Sequence, residues 1–267
     1  MRLKTSTLAN CFTLCLGLLA ISSHAAEGDA GNNANNANAA ASTSWLAGDI
    51  GVGFSAPAVV GNGKSHDKTA IPYANFDAGP VFARIDTFGV KTFPVAYGNL
   101  ELAARYSDDG YTPLVAGKGR LGRRSDSLPL GLGTLQVTPV GAIFFNVYRD
   151  VNKSKGNLLN LMYAAEIDSG RFAFYPQLGL EYQSAAYTRY FYGTSAVEAA
   201  GTGVAAYAPR GATNPFAALF IEMNVGGNWY VNANLRRTWL DSEISRSPLV
   251  GRHSVDSGVL AVSYRFH

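Results

Sequence analysis

Residues able to do covalent or acid–base chemistry are few in this 267-residue chain, which has four histidines and two cysteines. His66 stands beside Asp67, His253 beside Ser254, and His267 ends the sequence. A nucleophile needs a base within hydrogen-bond reach and a third group to orient that base, and adjacency in sequence supplies neither. Asp108-Asp109-Gly110 pairs two carboxylates but lacks the further spaced oxygens of a calcium loop, so it reads as a turn at a strand end. Cys11 and Cys15 lie in an apolar N-terminal run of export-signal character. Once that run is removed, no thiol remains for a disulfide, a nucleophile or a metal. No catalytic residue, cofactor site or metal site is assigned.

Three other groups of side chains are more informative. Glu101, Arg105, Glu166, Glu181, Glu222, Arg236 and Arg265 fall on the polar side of alternating segments and carry both signs. Such a face suits either a water-filled passage or a closed barrel whose charges pair across the interior. Lys118, Arg120, Arg123 and Arg124 cluster in one loop, where they could meet the phosphates of lipopolysaccharide through charge-assisted hydrogen bonds or simply remain solvated. The stretch from Ser184 to Asn214 holds Tyr187, Tyr190, Phe191, Tyr192 and Tyr207. A loop that long and that aromatic either folds back to plug a barrel mouth or displays a recognition surface. The plug is the preferred expectation: Tyr175 would pack beneath it, and Arg189 and Glu198 would pair with lumen charges.

Those residues need elements to position them. The chain is 47% hydrophobic and only 15% charged, against about 25% charged residues in a soluble domain, and its 12% aromatics argue against disorder. After residue 25 no apolar run approaches the roughly 18 to 20 residues of a spanning helix. Period-two alternation dominates instead. Ile50, Val52 and Phe54 oppose Asp49, Gly51 and Gly53; Leu100, Leu102 and Ala104 oppose Glu101, Ala103 and Arg105; and Leu178 and Leu180 oppose Gln177 and Glu181. The pattern returns at 216–225, at 229–239 and at Leu260, Val262, Tyr264 and Phe266. Trp229 and Trp239, ten residues apart on one face, would span roughly 25 Å of membrane normal at the usual strand tilt.

Turn spacing separates a membrane barrel from a soluble β-sandwich. Short connections at 78–80, 97–98, 138–139, 168–170 and 226–227 alternate with long ones at 57–69, 107–129, 184–214 and 241–254, as the short periplasmic and long outer loops of outer-membrane barrels do. The expected fold is all-β, a transmembrane antiparallel up-and-down β-barrel of about twelve strands, with ten as the alternative. Twelve requires residues 80–95 to form two short strands meeting near Thr87 to Gly89, although Arg84, Asp86 and Pro94 interrupt the alternation there.

Residues 1–25 read as a cleaved signal peptide, with Arg2 and Lys4 ahead of the apolar run and Ser23-His24-Ala25 at its end. Residues 26–44 are an Asn/Ala-rich tail expected to be disordered, and 45–267 form the barrel domain. The net charge of +3 falls close to balance once the signal is gone, so nothing points to nucleic acid.

Short motifs in order complete the reading: Ile71-Pro72-Tyr73, Phe82-Ala83-Arg84, Gly89-Val90, Tyr190-Phe191-Tyr192-Gly193, Glu198-Ala199, Tyr207-Ala208-Pro209, Asp241-Ser242 and Ser247-Pro248-Leu249-Val250. In these the chain resembles the MltA-interacting protein (MipA)/OmpV family of Gram-negative outer-membrane proteins, over essentially Gly48 to Phe266. The resemblance implies an outer-membrane location amid lipid and lipopolysaccharide. It also implies a non-enzymatic scaffold role in murein maintenance, with a lytic transglycosylase and a murein synthase as partners. A passive channel or uptake protein for small solutes is the alternative, and an adhesin acting through the outer loops a third.

Overall fold

The computed structural model describes residues 45–56, 58, 60–65, 69–114 and 121–266. The expected signal peptide and tail, His66, Lys118, Arg120 and His267 lie outside the described residues. In chain order the strands are β1 (Leu46–Ala56), β2 (Gly63–Ser65), β3 (Thr69–Ala78), β4 (Val81–Arg84), β5 (Thr87–Val95), β6 (Gly98–Arg105), β7 (Tyr111–Pro113), β8 (Pro129–Thr138), β9 (Gly141–Asp150), β10 (Asn157–Ala164), β11 (Ile167–Ser169), β12 (Phe172–Gln183), β13 (Ala212–Gly226), β14 (Trp229–Trp239) and β15 (Ser254–Phe266). Helices α1 (Ala185–Tyr192), α2 (Ala196–Thr202) and α3 (Ser242–Ser245) lie in the connections.

All strands but β2 and β7 form one antiparallel sheet that closes on itself through the β1–β15 and β10–β12 pairings. β10 and β11 keep one register along β12, since Ala164 faces Gln177 and Ile167 faces Phe174. The two-residue break between them lies opposite Pro176, which accepts from the Ala165 N–H but has no N–H to return. They therefore act as one interrupted strand, and the wall is a closed twelve-strand barrel.

Alternation decides which residues face where. Ile50, Val52, Phe54, Leu102, Leu178, Leu235 and Leu260 point out and are exposed, while Asp49, Glu101, Tyr175, Phe220 and Glu222 point in and are buried. An apolar exterior around a polar and aromatic interior is the inverse of a soluble fold and matches a lipid-facing wall. Trp229 and Trp239 stand exposed at the two ends of β14, and Trp229 meets the edge of Tyr264 at 5.3 Å.

Residues 80–95 do form two strands, but they meet at Ile85-Asp86 rather than at Thr87 to Gly89. Ile85 takes a positive φ of 54°, and the Thr87 hydroxyl donates to the Asp86 carboxylate, which closes the turn before alternation resumes at Phe88 and Val90. Pro94 interrupts the pattern because β5 bulges: Lys91 faces Glu101 but Pro94 faces Asn99, so one extra residue is inserted opposite Leu100. Phe93 within the bulge and Val95 beyond it take the outward positions and are exposed. A sixth connection on the long-loop side, residues 151–156, has no counterpart in the sequence reading.

Candidate functional site

Several outer connections converge at the barrel mouth. The β12–β13 connection does not extend into solvent but turns back as α1, whose Tyr187, Phe191 and Tyr192 are 1%, 0% and 5% exposed. They pack with Tyr111, Tyr148, Leu158, Phe82, Ile244 and Val250 inside the upper barrel. Tyr190 meets Phe191 edge-on at 4.8 Å and is partly buried, as is Tyr207. Close approach of the helix to the wall depends on Gly156, where a Cβ would lie 2.5 Å from the Tyr187 nitrogen.

The last carbonyls of a helix have no partner within it, and a buried end must find them elsewhere. Here the donors come from other loops. The Tyr111 hydroxyl donates to the Phe191 carbonyl at 2.6 Å, the Ser247 hydroxyl to that of Tyr192 at 2.6 Å, and the Arg124 guanidinium to that of Gly193 at 3.0 Å. At the start of α1 the Asn157 N–H donates to the Ser184 hydroxyl at 2.8 Å, and the Ser184 N–H to the Asn157 carbonyl at 2.9 Å. Burial, with the Asp109 carboxylate alongside, pushes the Tyr187 phenol well above its ordinary pKa. It therefore stays protonated and donates to Asp109.

α2 closes the outer layer. Ser195 and Glu198 form a reciprocal capping box, and Gly203 ends the helix in the left-handed region at φ 76°. Glu198 also pairs with Arg124 at 3.0 Å. Partial burial works against its charge, but the Ser195 N–H and the Arg124 guanidinium outweigh this and hold the carboxyl below its ordinary 4.5. Tyr207 donates to the Glu243 carbonyl, and Arg210 pairs with the Glu243 carboxylate at 2.9 Å.

Below the plug the lumen is crossed by ion pairs. Glu181, just ahead of α1 on β12, lies 3.5 Å from Arg105 on β6 and 3.6 Å from Arg236 on β14, and Arg236 stacks on Phe216 at 3.6 Å. Arg84 forks onto Glu101 at 2.5 and 2.7 Å. Near the base, Arg265 forks onto both Asp49 (2.7 and 2.9 Å) and Glu222 (2.6 and 3.2 Å) and stacks on Tyr230. Glu166 accepts from the Tyr175 hydroxyl at 3.4 Å. A second apolar cluster of Leu135, Phe144, Tyr175 and Phe220 lies in the lower interior.

The seven charges singled out in sequence thus all face inward. Their partners Asp49 and Arg84 were missed as charges. Asp49 was visible on the polar face of β1, whereas Arg84 read only as a break in alternation. The details of the plug differ from expectation. Tyr175 belongs to the lower cluster instead of lying beneath α1, Glu198 pairs with Arg124 instead of a lumen charge, and the Arg189 side chain donates to the Pro209 carbonyl. Arg124 is correspondingly turned into the mouth, which removes it from the outward cationic cluster, while Arg123 remains exposed. His253 lies exposed in the β14–β15 connection, and among the described residues no three His, Cys, Asp or Glu side chains converge on a metal position.

The family described as MltA-interacting protein MipA matches residues 50–266. The chain belongs to that family. Among relatives of this MipA-family barrel, YiaT of Escherichia coli (strain K12), named for the outer membrane, is 25% identical over 208 residues, covering 76% of this chain and 85% of YiaT. The MltA-interacting protein of the same organism is 25% identical over 144 residues, covering 54% of this chain and 58% of that protein. Among solved structures, a loop-deletion variant of OmpT, an outer membrane protein of Vibrio cholerae, is 10% identical at a TM-score of 0.30, covering 75% of this chain and 63% of that one. The MipA-family chain is an outer-membrane protein. Its barrel assignment stands on its own closed ladder of strand pairings.

Proposed function

We propose that this barrel is a non-conducting, non-enzymatic scaffold of the outer membrane that works through its surfaces rather than its lumen. The filled interior carries the reading. A latched aromatic plug, transverse ion pairs and a lower apolar cluster lie in series along the path a solute would take. The relative named for interaction with MltA supports a partner of the same class here, a lytic transglycosylase, and the family resemblance implies a murein synthase as the second member. The lumen offers such a partner nothing, so binding falls to the periplasmic turns and the residues ahead of Trp45. Stable interfaces bury about 800 Å² per partner, which short turns alone supply only in combination.

Two measurements on the purified full-length protein test this together. In a planar bilayer it should give no reproducible single-channel steps, and immobilised it should retain a purified lytic transglycosylase. Regular conductance steps without retention would establish the passive channel instead.

A further inference from the structure

On the lipid-facing wall, Phe88, Leu102, Leu130 and Leu132 stand around the small side chain of Ala104 and leave a furrow of about 510 Å³ between them. The register makes it continuous: Phe88 faces Ala104, Ala104 faces Leu130, and Leu102 faces Leu132. Leu130 in turn faces Arg149 on β9, which extends the same row across the sheet. Arg149 shares its side of β9 with Ile143, Phe145 and Val147, all of which are exposed to lipid.

This guanidinium is unusual on that surface. It donates to the side-chain amide oxygen of Asn157 at 3.5 Å, and no carboxylate pairs with it among the described residues. Arg237, the outward arginine of β14, is by contrast held by Asp256 through two bonds of 2.7 Å. The 151–156 connection adds Lys153 and Lys155, both exposed, to the rim above Arg149. The adjacent acid, Asp150, is buried and turned to the N–H groups of Leu128, Asn152, Lys153 and Ser154. A cationic rim alongside an apolar furrow is complementary to an anionic headgroup carrying acyl chains.

We propose that the furrow and the Arg149 rim form a binding site for lipopolysaccharide, with an acyl chain along Ala104 and a phosphate on Arg149 and Lys153. The site is independent of the scaffold reading and uses none of the cationic residues at 118–124.

The full-length protein, refolded in zwitterionic detergent, is titrated with purified lipopolysaccharide. The readouts are lipid retained through gel filtration and the shift in thermal unfolding midpoint. Arg149→Gln should weaken retention about tenfold, the loss of one charge-assisted hydrogen bond. Ala104→Phe, which fills the furrow, should weaken it as well, while Arg237→Gln leaves it unchanged. Dephosphorylated lipopolysaccharide should bind wild type and Arg149→Gln alike. If Ala104→Phe does not fold, the Arg149→Gln comparison decides alone. Equal retention by wild type and Arg149→Gln, or equal competition by phosphatidylcholine, would overturn the site.

Discussion

Arg265 gives the sharpest test of the lumen chemistry. Its side chain is 3% exposed and joins Asp49 on β1 to Glu222 on β13, across the seam where the first and last strands of the barrel meet. Replacing it with Met removes the guanidinium that these two buried carboxylates share. Removing one partner of a buried pair costs about 3–5 kcal/mol, and the loss of a guanidinium shared by two acids places this variant at the upper end. Neutralising the whole cluster as Asp49→Asn, Glu222→Gln and Arg265→Met removes the uncompensated charge as well, so the triple variant should lie within about 1 to 2 kcal/mol of wild type. Folding into phosphatidylcholine vesicles, followed by urea titration of tryptophan fluorescence and by heat-modifiable migration, measures both. If the single and triple variants lose equal stability, the cost comes from packing on Tyr230 and the charge argument fails.

Other consequences can be checked alongside. Leu178→Arg or Leu219→Arg, both facing lipid near the middle of their strands, should cost about 2–4 kcal/mol, whereas inward Gln177→Arg costs less; equal losses in the same titration would mean the faces are misassigned. The mature protein should fractionate with the outer membrane, and recovery in the soluble periplasm would contradict the barrel. Deleting residues 186–208 should leave the wall folded and produce small conductance steps, which grow when Glu181→Gln is added; no steps in either case would mean the lower cluster alone seals the lumen. Glu198 has a lowered pKa in the folded state, so its pairing with Arg124 is fully present above pH 4.5 and is lost as pH falls below that value. Protease cleavage within residues 195–206 should therefore accelerate in acid, and Glu198→Gln should abolish that pH dependence.

The wall was legible because period-two alternation survives in a single sequence: each of β1, β6, β12, β13, β14 and β15 shows which residues face lipid. What resisted reading is what alternation cannot encode. The bulge in β5 is one inserted residue, visible only once Lys91 and Pro94 are registered against Glu101 and Asn99. The partnership of Asp49 with Arg265 spans 216 positions and depends on closure of the ring. In the mouth, the long aromatic loop was evident, but its helices were not. The Ser195-to-Glu198 spacing is a capping-box signature that could have revealed α2. Eight residues of α1 are too few to display a helical period, and their conformation is held by Tyr111, Ser247 and Arg124 from other loops.

That dependence bears on what the barrel can do. Freeing α1 means giving up carbonyl contacts from two other outer connections at once, so the plug is tied to the whole mouth and is not a hinged lid on one loop. Beneath it, Glu181 ties β12 to both β6 and β14, and an aqueous path would have to separate three wall strands' charges from one another. A protein built to pass solutes keeps its interior hydrated and its constrictions adjustable. Here Phe82, Phe144, Tyr148, Phe216 and Phe220 all point inward and are buried, so the lumen is furnished as a core. On the scaffold reading proposed above, a barrel closed in this way contributes a rigid frame in the membrane. The parts left to meet other molecules are its rims and its lipid-facing wall, and the furrow beside Arg149 and the periplasmic turns are where binding should be sought.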